Sequence, residues 1–220
     1  MVLEKNPRTR HIARKILEIG DKFSGVAFPA MDRPKQIDIY SCGPAVISSL
    51  YSFLGVKVSQ RGIIASLRAK EKIKKYGLNM KDMARAAKIV GKGDYVFWKK
   101  SGGKISDLDT VVNKHKYPVG VEWQGVFYEY SDEDDGHYSI VTKVDKKAKY
   151  LRIADPSRDF AGVDRKFDIK FFENRWWDEN EISVAGTTRK RKVEDYRVMF
   201  LITPKGENWP EKLGMGKVRV

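Results

Sequence analysis

The only cysteine of the chain, Cys42, lies in "QIDIYSCGPAVISSLYSFLG" (residues 36–55), beside Gly43 and Pro44. A helical pattern begins there, with Val46, Leu50, Phe53 and Leu54 at 3–4 spacing and Gly55 as its stop. The unpaired N–H groups and dipole at a helix start favour a thiolate. A nucleophilic thiol also needs a base, a group that orients the base, and donors for the oxyanion. The chain offers three histidines as bases. His11 sits in a basic stretch and His115 among lysines at the end of a helical segment, and both are expected to be exposed. His137 instead follows Gly136 and opens the apolar run "HYSIVTKV". The next run, "YLRIADPS", ends at Asp155-Pro156. A hairpin through "DKKAK" would set His137 beside Asp155. The carboxylate would then hold one ring nitrogen and leave the other for the thiol. Gln36 lies just upstream of Cys42, where its amide could serve the oxyanion together with the Cys42 N–H.

These residues need a scaffold. Ser59 and Asn79 read as helix caps, the first before Ile63, Ile64 and Leu67, the second before Met83, Ala86, Ala87 and Val90, with Gly91 as a stop. "SDLDTVVNKHK" reads as a further helix with a capping box of Ser106 and Asp109. Beyond it, "YPVGVEW", "HYSIVTKV", "KYLRIAD" and "DYRVMFLI" are short β-branched and aromatic runs that predict strands, and "DIKFFENRWW" predicts a short helix packed on them. Helices followed by a mostly antiparallel sheet make the fold class α+β. The expected organisation is a basic lead-in over 1–33, one domain over 34–203 and an extension over 204–220.

Composition narrows the function. The 43 Lys+Arg against 29 Asp+Glu give a net charge of +14 spread along the chain. Such an excess attracts nucleic acid or anionic lipid, yet no zinc-knuckle or RNP-type signature accompanies it, so a nucleic-acid role is the weaker expectation. A single cysteine excludes an internal disulfide and a multi-cysteine metal site and fits a reducing, cytoplasmic setting. No apolar run is long enough to span a bilayer. "EYSDEDDGH" places four acidic residues just before His137, where they would raise its pKa and favour basic peptides. Among the tryptophans, Trp123 and Trp176 are expected in the core.

Gln36, Cys42-Gly43-Pro44 opening a helix, Gly136-His137 on a strand and Asp155-Pro156 at the end of the next resemble a known arrangement. It is that of the papain-like peptidase domain of bacteriocin-processing (double-glycine leader) ABC transporters and its stand-alone, peptidase C39-like relatives. The resemblance covers about residues 34–203 and extends to "GLNMKDMARAAKIVG" and "LDTVVNKHKYPVGVEW". It implies a papain-like fold with Cys42 as nucleophile, His137 as base, Asp155 as orienter and Gln36 as oxyanion donor. It also implies a peptide or protein substrate and no cofactor or metal. With no membrane segment and no P-loop, the stand-alone form is expected, for which double-glycine specificity is not assumed. The alternatives are a thiol acyl transferase, a peptide-binding relative without catalysis, and a basic nucleic-acid-binding protein.

Overall fold

The computed structural model describes residues 27–68, 70–127, 136–183 and 190–220. The expected basic helix around Arg8–Ile19, His11 and the acidic run before Gly136 lie outside them. Among the described residues four helices come first: α1 (Cys42–Phe53), α2 (Gln60–Leu67), α3 (Lys70–Tyr76) and α4 (Met80–Val90). The two caps expected here are made, Ser59 Oγ accepting from the Gly62 N–H at 3.0 Å and Asn79 Oδ1 from the Asp82 N–H at 2.9 Å. The stretch after Ser59 forms two helices rather than one, because Arg68 takes a left-handed φ of 50° and ends α2.

Next come β1 (Tyr95–Lys100), α5 (Ile105–Asp109), which runs into a π-helical turn at Thr110–Lys114, and β2 (Val119–Gln124). The expected capping box is displaced. The helix starts earlier, with the Lys104 N–H donating to the Asp107 carboxylate at 2.9 Å, while Asp109 binds Asn113 and Lys146 instead. The remaining elements are β3 (Gly136–Asp145), β4 (Tyr150–Ala154), β5 (Asp164–Asp168), α6 (Ile169–Arg175), β6 (Trp177–Ser183), β7 (Lys190–Tyr196), β8 (Met199–Pro204), α7 (Trp209–Lys212) and β9 (Gly216–Lys217). "DYRVMFLI" is therefore two strands. A positive φ at Arg197 (48°) turns the chain from the β6–β7 hairpin into the main sheet.

The main sheet has the order β5-β4-β3-β2-β8-β1-β9, with antiparallel pairing throughout. Side chains alternate between its faces, so neighbours in sequence feed different cores. Phe97, Tyr138, Ile140, Phe200 and Ile202 pack against Val46, Ile47, Leu50, Met83 and Ala87 of the helices. Trp98, Trp123, Val141, Leu201 and Val121 join Leu108, Phe172 and Trp176 on the other side. Trp123 and Trp176 are both fully buried. Met31 from the expected lead-in and Met215 from the expected extension also enter these cores, 2% and 3% exposed. His115 is half-buried rather than exposed, its ring stacked on Trp209 at 4.1 Å.

Candidate active site

Cys42 opens α1. Its placement follows from an N-terminal turn with few free donors. The Ser41 N–H bonds to Asp38 O, Pro44 has no N–H, and the Ala45 N–H bonds to Ser41 O. Helix geometry then leaves the N–H groups of Cys42 and Gly43 without intrahelical partners. Asp38 shapes the approach, its Oδ1 accepting from the Tyr40 N–H at 3.0 Å and the Ser41 hydroxyl at 2.6 Å. Gly43 lets the helix come close to the sheet. A Cβ there would lie 2.8 Å from Met83 Sδ and 3.4 Å from the Tyr138 ring. Tyr138 follows His137 on β3, so this close packing carries Cys42 to the histidine.

The hairpin expected from the sequence is present. β3 and β4 pair antiparallel, and His137 Nε2 lies 2.8 Å from Asp155 Oδ1. Cys42 also acts on the His137 ring, adding to the effect of Asp155, and with Nε2 engaged by Asp155 the ring nitrogen left for the thiol is Nδ1. Phe127 meets the imidazole edge-on, with ring centroids 4.9 Å apart. His137 and Asp155 are buried and Cys42 half-buried. Burial alone would depress the His137 pKa. The charge and hydrogen bond of Asp155, followed by those of Cys42, overturn this and push it up to about 10. For Asp155, burial works to raise the pKa, but His137, then Arg165 and the Ser157 N–H, hold it well below the ordinary 3.8.

Gln36 is tied to the same place. Its N–H donates to Pro156 O at 2.8 Å, fixing it beside the Asp155 segment. Its side-chain Nε2 donates to Asp38 O at 2.9 Å, and Oε1 is buried without a hydrogen-bond partner. One of the two amide hydrogens is therefore engaged by Asp38 and the other is available. The sequence reading missed Gln60, whose Oε1 accepts from the Ile37 N–H at 3.1 Å and whose Nε2 donates to Lys35 O at 2.8 Å. It brackets Gln36 on both sides.

A family model described as Peptidase_C39 like matches residues 28–183. The chain belongs to the peptidase C39-like family. No curated protein matches the sequence. Among solved structures, this C39-like chain is similar to the peptidase domain of Streptococcus ComA, a bi-functional ABC transporter involved in a quorum-sensing pathway. The two share a TM-score of 0.53 at 19% identity, over 80% of this chain and 99% of that one. The shared feature is the fold, helices packed on a mostly antiparallel sheet. No described helix of the C39-like chain is long and apolar enough to cross a membrane.

Other polar residues around the C39-like site were also not singled out from sequence. Glu122 on β2 accepts from the Tyr138 hydroxyl at 2.6 Å, and Asp178 on β6 accepts from Gln124 Nε2 at 3.1 Å while packing against Gly136. Arg165 on β5 donates to Asp155 Oδ2 at 2.7 Å. For Glu122 the available signal was a charged residue inside an otherwise apolar strand, "VGVEW".

Proposed function

We propose that this chain is a cysteine peptidase that hydrolyses peptide bonds through Cys42, His137 and Asp155, with Gln36 assisting. The observation that carries the reading is the His137 imidazole, the one buried histidine among the described residues, with the Asp155 carboxylate on Nε2 and the only thiol acting on the same ring. The Cys42 proton passes to His137, and the thiolate attacks the substrate carbonyl. The Cys42 N–H and the remaining Gln36 amide hydrogen donate to the oxyanion as it forms. As the tetrahedral intermediate collapses, the imidazolium protonates the departing amine and the acyl group stays on sulfur as a thioester. Water, deprotonated by the neutral imidazole, then releases the acid and regenerates the thiol. Asp155 keeps the Nε2 side of the ring engaged throughout, so that Nδ1 faces the sulfur.

The substrate side fits a peptide. A groove of about 960 Å³ starts at Ile37 and Asp38, next to Gln36, and runs between that loop and α2–α3. Ile64, Ala65 and Ile73 supply its apolar lining, and Arg61, Arg68, Lys70 and Lys74 its cations. With a single thiol, alkylation by iodoacetamide tests the catalytic pair without a known substrate. Labelling at pH 6 is expected to be fast in the wild type and about 10²-fold or more slower in His137→Ala, as a thiol lacking its imidazolium partner behaves. Equal rates in the two proteins would end the catalytic reading.

A further inference from the structure

We propose that the first two residues of β5, Asp164 and Arg165, are positioning residues that hold Asp155 on the side of His137, Arg165 directly and Asp164 through a β-bulge at Thr142. This rests on the catalytic reading above and extends it to residues that touch no substrate.

The register of β3 against β4 changes part-way along. On the turn side Asp145 faces Tyr150, Val144 faces Leu151 and Lys143 faces Arg152. On the site side Val141 faces Ile153 and Ile140 faces Ala154, so Thr142 is an extra residue without an opposite number. Continued from the turn, the first register would set Asp155 opposite Ile140, which packs with Tyr138 in the helix-side core. With the bulge, Asp155 follows Ala154 to the position opposite Ser139, which shares the His137 side of the strand. One inserted residue thus decides which face receives the carboxylate.

The bulge is held by β5. Thr142 Oγ1 donates to Asp164 Oδ2 at 2.8 Å, and Asp164 Oδ1 accepts from Arg33 Nε at 2.6 Å. Both side chains of that ion pair are buried, 1% exposed for Asp164 and 7% for Arg33. The next residue reaches the site itself. One arm of the Arg165 guanidinium donates to Asp155 Oδ2, and the other donates to Val126 O at 3.1 Å. Its plane lies 3.5 Å over the Phe160 ring and 4.8 Å from that of Phe167. Asp155 Oδ1 meanwhile takes His137 and the Ser157 N–H. Both carboxylate oxygens are therefore pinned, and rotation away from the imidazole breaks a buried ion pair. A planar two-armed group spans two acceptors in a way an ammonium cannot.

The test is the titration of the His137 ring, followed by NMR of ¹⁵N-histidine-labelled full-length protein and assigned with His137→Ala. The groups facing that ring are Cys42 from α1 and Asp155 after β4. Glu122 of β2, Tyr138 of β3 and Asp178 of β6 lie around them and are unchanged in every variant. Arg165→Met is expected to lower the His137 midpoint by about one pH unit or more, as the carboxylate loses its orientation. Arg165→Lys is expected to restore part of the shift, and Thr142→Val to move the midpoint in the same direction by less. A midpoint unchanged or raised in Arg165→Met overturns the proposal, since Arg165 would then be structural support or a competing charge. Should that variant fail to fold, an unchanged midpoint in both Arg165→Lys and Thr142→Val overturns it equally. A wild-type His137 that titrates at 6.5, indifferent to Cys42→Ala, would instead overturn the catalytic reading.

Discussion

The imidazole of His137 draws its charge from both sides, and this links chemistry to stability. Its pKa rises from the ordinary 6.5 to about 10 in the folded protein. The stabilisation from this group is complete below pH 6.5 and disappears as the pH climbs through about 10. Asp155 acts oppositely, since its depressed pKa gives stability above 3.8 that is lost as the pH falls below that value. Urea unfolding of wild type and His137→Gln should therefore differ most between pH 3.8 and 6.5, with the gap narrowing towards pH 10. A gap independent of pH would show that the imidazolium contributes nothing to the fold. Cys42, His137 and Asp155 were legible in sequence because each stands at the end of a patterned run, where strand and helix geometry limit its neighbours. Arg165 was not, because "DRKFD" reads as a charged strand facing solvent until β5 is seen against β4.

At the scale of elements, the site depends on how closely α1 approaches β3. Gly43→Ala puts a methyl group into the space of Met83 Sδ, in a core where extra volume costs about 1–3 kcal/mol. The helix start should shift from Tyr138, so both the melting temperature and the rate of Cys42 alkylation should fall. Gly62→Ala in α2 is the control, since its Cβ would meet only Ser59 Oγ at 3.1 Å. Equal effects in the two variants would remove close approach as the explanation. The helix caps at Ser59 and Asn79 and the β3–β4 hairpin could be read from sequence because local hydrogen bonding determines them. The bulge could not be read in advance, although it leaves a trace: Val141 and Val144 enter the same core despite a spacing that strict alternation would forbid. "DYRVMFLI" misled because a single left-handed residue, Arg197, interrupts an otherwise continuous strand pattern.

Across the whole molecule the charge excess has a local counterpart. Four cations, Arg61, Arg68, Lys70 and Lys74, line the groove against Asp38 and Glu71. All are near water, so each is worth at most about 1 kcal/mol towards a bound anion. Peptides with glutamate flanking the cut should be cleaved about three- to tenfold faster in kcat/KM than lysine counterparts at low salt, and the ratio should shrink at 0.3 M salt. A lysine preference would instead favour the acidic run before Gly136 as the selecting element. The strand order carries a further consequence. β8 lies between β2 and β1, and its Phe200 and Ile202 complete the core beneath α1. Until residues 199–204 leave the ribosome, β1 and β2 have an open slot between them and α1 lacks part of its floor. Cys42 and His137 are both synthesised before the strand that completes the core beneath α1. Vectorial synthesis thus acts as a timer, deferring closure of that core until β8 has been made.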